Sequence, residues 1–132
     1  MARSARKKDP ARELAVAAAG LAHHDNCEQI VVLDLRGISP ITDYFVIATG
    51  SSDRQMRSVA DDVKRHGASV GQKVWRVAGY ETADWIVMDF VDVVVHLFDE
   101  EHRRYYDLEL IWGEAPSVNW RAAARKAGKR RT

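Results

Sequence analysis

The chain has 132 residues, 46% of them hydrophobic and 30% charged. That is enough for one domain with a real core, and ordinary for a soluble globular protein. No apolar run approaches the ~18 residues of a membrane span, and no apolar stretch of a secretion signal follows Met1. A lone Cys27 excludes an internal disulfide and a cysteine-based zinc site, and it fits a reducing cytoplasm. The net charge of +1 hides a split, because all 19 acids lie between positions 9 and 116. Residues 1–8 carry Arg3, Arg6, Lys7 and Lys8, and residues 117–132 carry Arg121, Arg125, Lys126, Lys129, Arg130 and Arg131. An acidic body with basic arms suits a partner that offers both a basic protein surface and a phosphate backbone.

Asp9-Pro10 reads as the N-cap and first position of a helix running to about His23. Residues 29–35 form a first strand and 43–49 a second, with a loop between them short enough for antiparallel pairing. Gly50-Ser51-Ser52 then turns the chain. Ser52 with Gln55 makes a capping box, and Met56, Val59, Ala60 and Val63 give the next helix one apolar face. Gly67 is its expected C-terminal stop. A short strand over 73–77 follows, expected to pair in parallel with the second strand through the helical crossover.

Residues 84–89 and 92–98 read as an antiparallel hairpin. Val91 disfavours the positive φ of a tight primed turn, so a type I turn or a bulge is expected. Asp99 caps a last helix from Glu100 to Trp112, in which Tyr105, Leu108 and Trp112 share a core-facing spacing. The fold class is therefore mixed α/β: one mixed sheet of about five strands with packed helices. Residues 9–113 form the domain, 1–8 a basic disordered N-terminus, and 114–132 a basic tail. The tail is expected to be largely disordered, with a helical segment around Trp120.

Asp89, Asp92 and His96 invite a catalytic reading. A general base needs a tuned pKa and a substrate within reach, and no clear nucleophile accompanies them. A turn aspartate and a strand histidine are more often structural. The Gly-Ser turn at 49–55 could hold a phosphate on free amides, but no closely paired carboxylates follow it. Asp61 and Asp62 point to different helix faces. His23-His24 lack the spacing of a metal site, and the dinucleotide glycine fingerprint is absent. No cofactor and no metal is expected. A metal-dependent nucleotidyltransferase using Ser51, Asp89 and Asp92 is the alternative function.

Two blocks carry a resemblance. "DLRGISPITDYFVIATGSSDRQMRSVADDV" (34–63) and "DWIVMDFVDVVVHLFDEEHRRYYDLELIW" (84–112) resemble the ribosomal silencing factor family, the iojap-like proteins. The resemblance implies a nucleotidyltransferase-like fold without its catalytic carboxylates, and a non-enzymatic role. Its members bind the fourteenth protein of the large ribosomal subunit and block joining of the small subunit. They thereby repress translation when nutrients are scarce, and they tend to be homodimers when free. The docking face is expected around Trp85, Ile86 and Met88 as apolar anchors, with Tyr80 at the rim and Asp89 and Asp92 facing basic side chains. Arg121, Arg125 and Lys126 are candidate ribosomal RNA contacts. The chain departs from the family pattern at Val91, where glycine is common, and at Ala78, where glutamate is.

Overall fold

The computed structural model describes residues 9–106 and 113–131. Helix α1 (Pro10–His24) starts where Asp9 accepts the Arg12 amide at 3.1 Å. Strands β1 (Glu28–Asp34) and β2 (Tyr44–Gly50) follow, then α2 (Asp53–Ser69) and β3 (Arg76–Ala78). The chain continues through β4 (Trp85–Asp89), β5 (Val93–Asp99), α3 (Glu100–Tyr106) and α4 (Trp120–Arg131). One five-stranded mixed sheet has the order β1-β2-β5-β4-β3. The remainder of the expected last helix, with Leu108 and Trp112, lies outside the described residues, as do residues 1–8.

The parallel partner of β2 is β5, not the strand that directly follows α2. β3 instead pairs antiparallel with β4 at the far edge. The physical reason is visible in the strands themselves. β5 is seven residues long and nearly continuously apolar, as a strand covered on both faces must be. β3 has three residues and two exposed positions, which suits an edge.

Strand alternation sorts the core into two layers. Ile86, Met88, Val93, Val95 and Leu97 face α1 and α2 in the larger one. Leu33, Leu35, Ile47 and Phe98 form the smaller one on the other face, with Phe45, Trp85 and Ala115 packed against it. Arg103 of α3 is buried over this second face. Its Nη1 donates to the Gln29 carbonyl at 2.7 Å and to Thr49 Oγ1 at 2.9 Å. Gln29 sits at the irregularity in the β1–β2 ladder with φ +50°, so the guanidinium satisfies a carbonyl that the ladder turns away.

Two expected boundaries shift. α2 runs past Gly67 to Ser69. Gly67 is needed for close approach instead, since a Cβ there would sit 2.8 Å from the Phe90 ring. Residues 114–131 are built onto the fold rather than hanging from it. The Asp34 amide donates to the Pro116 carbonyl and the Val118 amide to the Val32 carbonyl, both at 2.8 Å. Trp120 is 7% exposed and donates to the Ile30 carbonyl at 3.3 Å. Val118, Trp120, Ala123 and Ala124 pack on the core, burying apolar surface that outweighs the segment's polar composition.

The β4–β5 turn also differs from expectation. Val91 takes φ +79°, and the Asp92 amide donates to the Phe90 carbonyl at 3.0 Å, two residues back, as in a strained γ-turn. Asp89 Oδ1 holds the Val91 amide at 2.7 Å, and this grip keeps a β-branched residue in the left-handed region. Such strain costs about 1–3 kcal/mol, whereas glycine costs about 0.5–1 kcal/mol in extra entropy. Val91 is 55% exposed and loses little packing on truncation. Val91→Gly is therefore expected to stabilise the protein by about 1 kcal/mol in urea unfolding; a destabilised variant would show the strain to be absent.

Candidate functional site

The residues singled out by sequence do not converge. Trp85 and Asp89 occupy opposite ends of β4, about 13 Å apart at ~3.3 Å per residue. Ile86 and Met88 are 0% and 1% exposed, on the face covered by helices. The two-residue period puts them opposite Trp85, so they are core residues and not surface anchors. Tyr80 is likewise tied to the helix layer. Its hydroxyl donates to Asp61 at 3.1 Å, and Arg57 lies 5.9 Å from its ring centre while donating to its carbonyl.

Trp85 belongs to an aromatic group on the second face. Its ring stacks on Phe98 at 5.0 Å, and its Nε1 donates to His96 Nδ1 at 3.0 Å. Phe45 meets His96 edge-on at 4.6 Å. The bond from Trp85 assigns the tautomer: Nδ1 accepts, so the proton of the neutral ring is on Nε2. Nε2 is buried without a partner among the described residues. Burial pushes the His96 pKa down to about 4. A histidine so weakly basic and so enclosed is a poor general base at neutral pH. Asp92, expected beside it, is instead an exposed turn residue whose carbonyl receives the Asp43 and Tyr44 amides at 3.0 and 3.1 Å.

The Gly-Ser turn is closed to anions by its own side chains. Gln55 Oε1 accepts the Ser51 amide at 2.6 Å, and Ser52 Oγ accepts the Gln55 amide at 3.1 Å. The second arm of the capping box thus reaches Ser51 rather than Ser52. Gln55 Nε2 donates onward to the Asp25 carbonyl at 2.8 Å. Asp61 is engaged by Tyr80 and Asp62 by Arg65 at 3.1 Å, so the two adjacent carboxylates turn to different partners rather than to one shared ion.

One cluster is assembled only by the fold. Asp84, Asp99 and His102 bring ligand-capable atoms within 4.8 Å of one another. Asp99 caps α3 through the His102 amide at 2.8 Å and holds His102 Nδ1 at 2.7 Å. That bond raises the proton affinity of His102. The i, i+3 spacing Asp99–His102 was the available signal.

At the β4–β5 turn, Asp89 and Asp92 share their end of the sheet with Asp43, whose carboxyl titrates high because it is partly desolvated and faces Asp92 and Asp9. At the β1 edge, Arg121 and Arg125 are exposed on α4, with Arg121 over the Trp120 ring at 4.6 Å. The Lys126 side chain lies outside the described ones.

The chain is thus a mixed α/β domain with an acidic turn region, a basic helix docked on its β1 edge, and candidate catalytic side chains tied into structural contacts. Solved structures share this fold. A Chromobacterium violaceum protein superposes with a TM-score of 0.74 at 29% identity, covering 77% of this chain and 85% of that one. A Bacillus halodurans protein gives 0.67 at 38% identity, covering 81% and 94%. Residues 8–132 match the family described as "Ribosomal silencing factor during starvation", and the chain belongs to that family. The ribosomal silencing factor of Halalkalibacterium halodurans is 40% identical over 81% of this chain and 92% of its own length. That of Bacillus subtilis is 40% identical over 75% and 84%. No described helix is long and apolar enough to cross a membrane.

Proposed function

We propose that this protein acts in the cytoplasm as a ribosomal silencing factor without enzymatic chemistry. It binds the large subunit through that subunit's fourteenth protein, blocks joining of the small subunit and represses translation under nutrient limitation. The observation that carries the reading is the 40% identity to a named silencing factor across 81% of the chain. The charge layout supports it. Asp89 and Asp92 meet a basic protein, and Trp85, partly buried at the other end of β4, adds an aromatic contact. Arg121, Arg125 and Lys126 meet ribosomal RNA from a helix held in place by Trp120. The free protein is a homodimer.

Co-sedimentation with isolated large subunits tests the reading. Small subunits are then added and joining is followed by light scattering. Binding that suppresses joining is expected; joining at the normal rate in the presence of bound protein would refute the block. Arg121→Glu with Arg125→Glu is expected to weaken binding. It should also flatten the dependence of affinity on log salt, by about 0.7–0.9 for each phosphate left without its cation. An unchanged slope would remove RNA from the interface.

A further inference from the structure

His96 carries a polar group that the fold buries and does not pair. It lies in β5, 6% exposed, grouped with Phe45, Trp85 and Phe98 on the second face of the sheet. Strand register brings them together. Trp85 stands directly across from Phe98, and Val87 across from His96. His96 and Phe98 share a face by the two-residue period, so Trp85 is the diagonal cross-strand neighbour of His96. The imidazole lies within 9° of the Phe98 plane at 6.2 Å, and the Trp85 ring within 24° of it. His96 Nδ1 accepts the indole N–H at 3.0 Å, while its Nε2 has no partner among the described residues.

A buried donor without a partner costs its full desolvation, and one indole hydrogen bond returns no more than that. Phenylalanine would fill the same space among three aromatic rings without the orphan donor. Packing alone therefore does not account for the histidine, and the acceptor Nδ1 is what distinguishes it. An indole stacked on Phe98 can turn over about its Cβ–Cγ bond, because that torsion has broad, roughly two-fold wells. Stacking tolerates either flip, whereas the hydrogen bond from Nε1 selects one. Trp85 is partly exposed at the end of β4, so the flip it holds decides which edge of the ring reaches the surface. A side chain already ordered loses less freedom when a partner covers it, and tryptophan is enriched among binding hot spots.

We infer that His96 is a positioning residue for docking: through Nδ1 it holds the Trp85 indole in the one flip that meets the partner. The inference rests on the large-subunit-binding reading, and within it on the Trp85 contact. His96 acts through Trp85 and touches no partner itself, because it is enclosed. Its role differs from a purely structural one in the effect of two substitutions. Phenylalanine removes the orphan donor and keeps the packing, yet it frees the indole. Asparagine leaves space in the aromatic group, yet its Oδ1 stands where Nδ1 stood and keeps the indole bond.

The test measures thermal melting at neutral pH and sedimentation with isolated large subunits for the full chain. The variants are His96→Phe, His96→Asn, Trp85→Phe and the double His96→Phe/Trp85→Phe. In NMR spectra the Trp85 indole proton, identified by its loss in Trp85→Phe, reports the bond directly. It is expected to exchange slowly with water in the unsubstituted protein and in His96→Asn, and rapidly in His96→Phe. His96→Phe is expected to melt no lower than the unsubstituted protein, yet to bind about two- to ten-fold more weakly, the effect of ordering one side chain on docking. His96→Asn is expected to melt lower and bind normally. In the Trp85→Phe background, which itself binds more weakly, His96→Phe is expected to change nothing further. Undiminished binding by a folded His96→Phe, or by Trp85→Phe, would overturn the inference while the ribosomal reading stands. Weakened binding by His96→Asn with the indole bond intact would do the same, and that result counts even if His96→Phe fails to fold. A further loss in the double variant, or binding that follows melting temperature across the set, would leave the histidine a structural residue alone. If the unsubstituted protein does not bind large subunits, both readings fall.

Discussion

Trp120→Ala is expected to cost about 3–5 kcal/mol of stability in urea unfolding followed by circular dichroism, the range for removing a large buried aromatic. The indole is 7% exposed. It meets His23 at 5.6 Å and joins α4 to both α1 and the start of β1. Losing it removes the packing and also unseats the strand-like segment in which Val118 and Pro116 satisfy β1. A loose tail would give a change within about 0.5 kcal/mol, as surface substitutions do, and that result would detach α4 from the fold. The same variant bears on RNA binding, because Arg121 and Arg125 would lose the scaffold that holds them.

The second large effect is an acid instability centred on His96. The folded state holds its pKa at about 4, against 6.5 for the ordinary group. As pH falls below about 6.5, the unfolded chain takes up a proton that the folded chain refuses. The stability contributed by neutral His96 is thus complete above pH 6.5. It is lost between 6.5 and 4 at about 1.4 kcal/mol per pH unit, about 3 kcal/mol in all. His96→Gln, which keeps an acceptor for the Trp85 indole, should flatten the stability curve across that window. Equal pH dependence in the variant would place the histidine in water. Asp34 acts in the same direction at lower pH, since Arg36 holds its carboxyl below the usual range. Burial raises Asp25 and Asp43, which makes them act in the opposite direction there, so the histidine component is isolated only by comparison with the variant.

What could be read in the sequence was local. Asp9-Pro10, Ser52-x-x-Gln55 and Asp99 start helices because side-chain oxygens reach amides two or three residues on, and nothing distant is required. The alternation in β4 and β5 gave the hairpin. The same alternation sets Ile86 and Met88 against Trp85, so their assignment to one docking face conflicted with a rule already visible in the chain. The near-continuous apolar run of β5 fits the central place it takes, although the parallel partner expected for β2 was the 73–77 strand.

The tertiary structure alone decided which strands pair and which segments join. β2 could meet β3 or β5, and the choice depends on loop closure and on burial across the whole sheet, which no local spacing encodes. The C-terminal segment reads as a basic tail because its composition is polar, yet Val118 and Trp120 find a waiting sheet edge and helix face. Val91 resists positive φ on its own, but the Asp89 carboxylate and the neighbouring strands impose it. Element identity, set by interactions within one turn or one pleat, belonged to the sequence. The position of the acidic end of the sheet relative to the basic helix came from packing between residues far apart in the chain, and only the folded molecule supplies it.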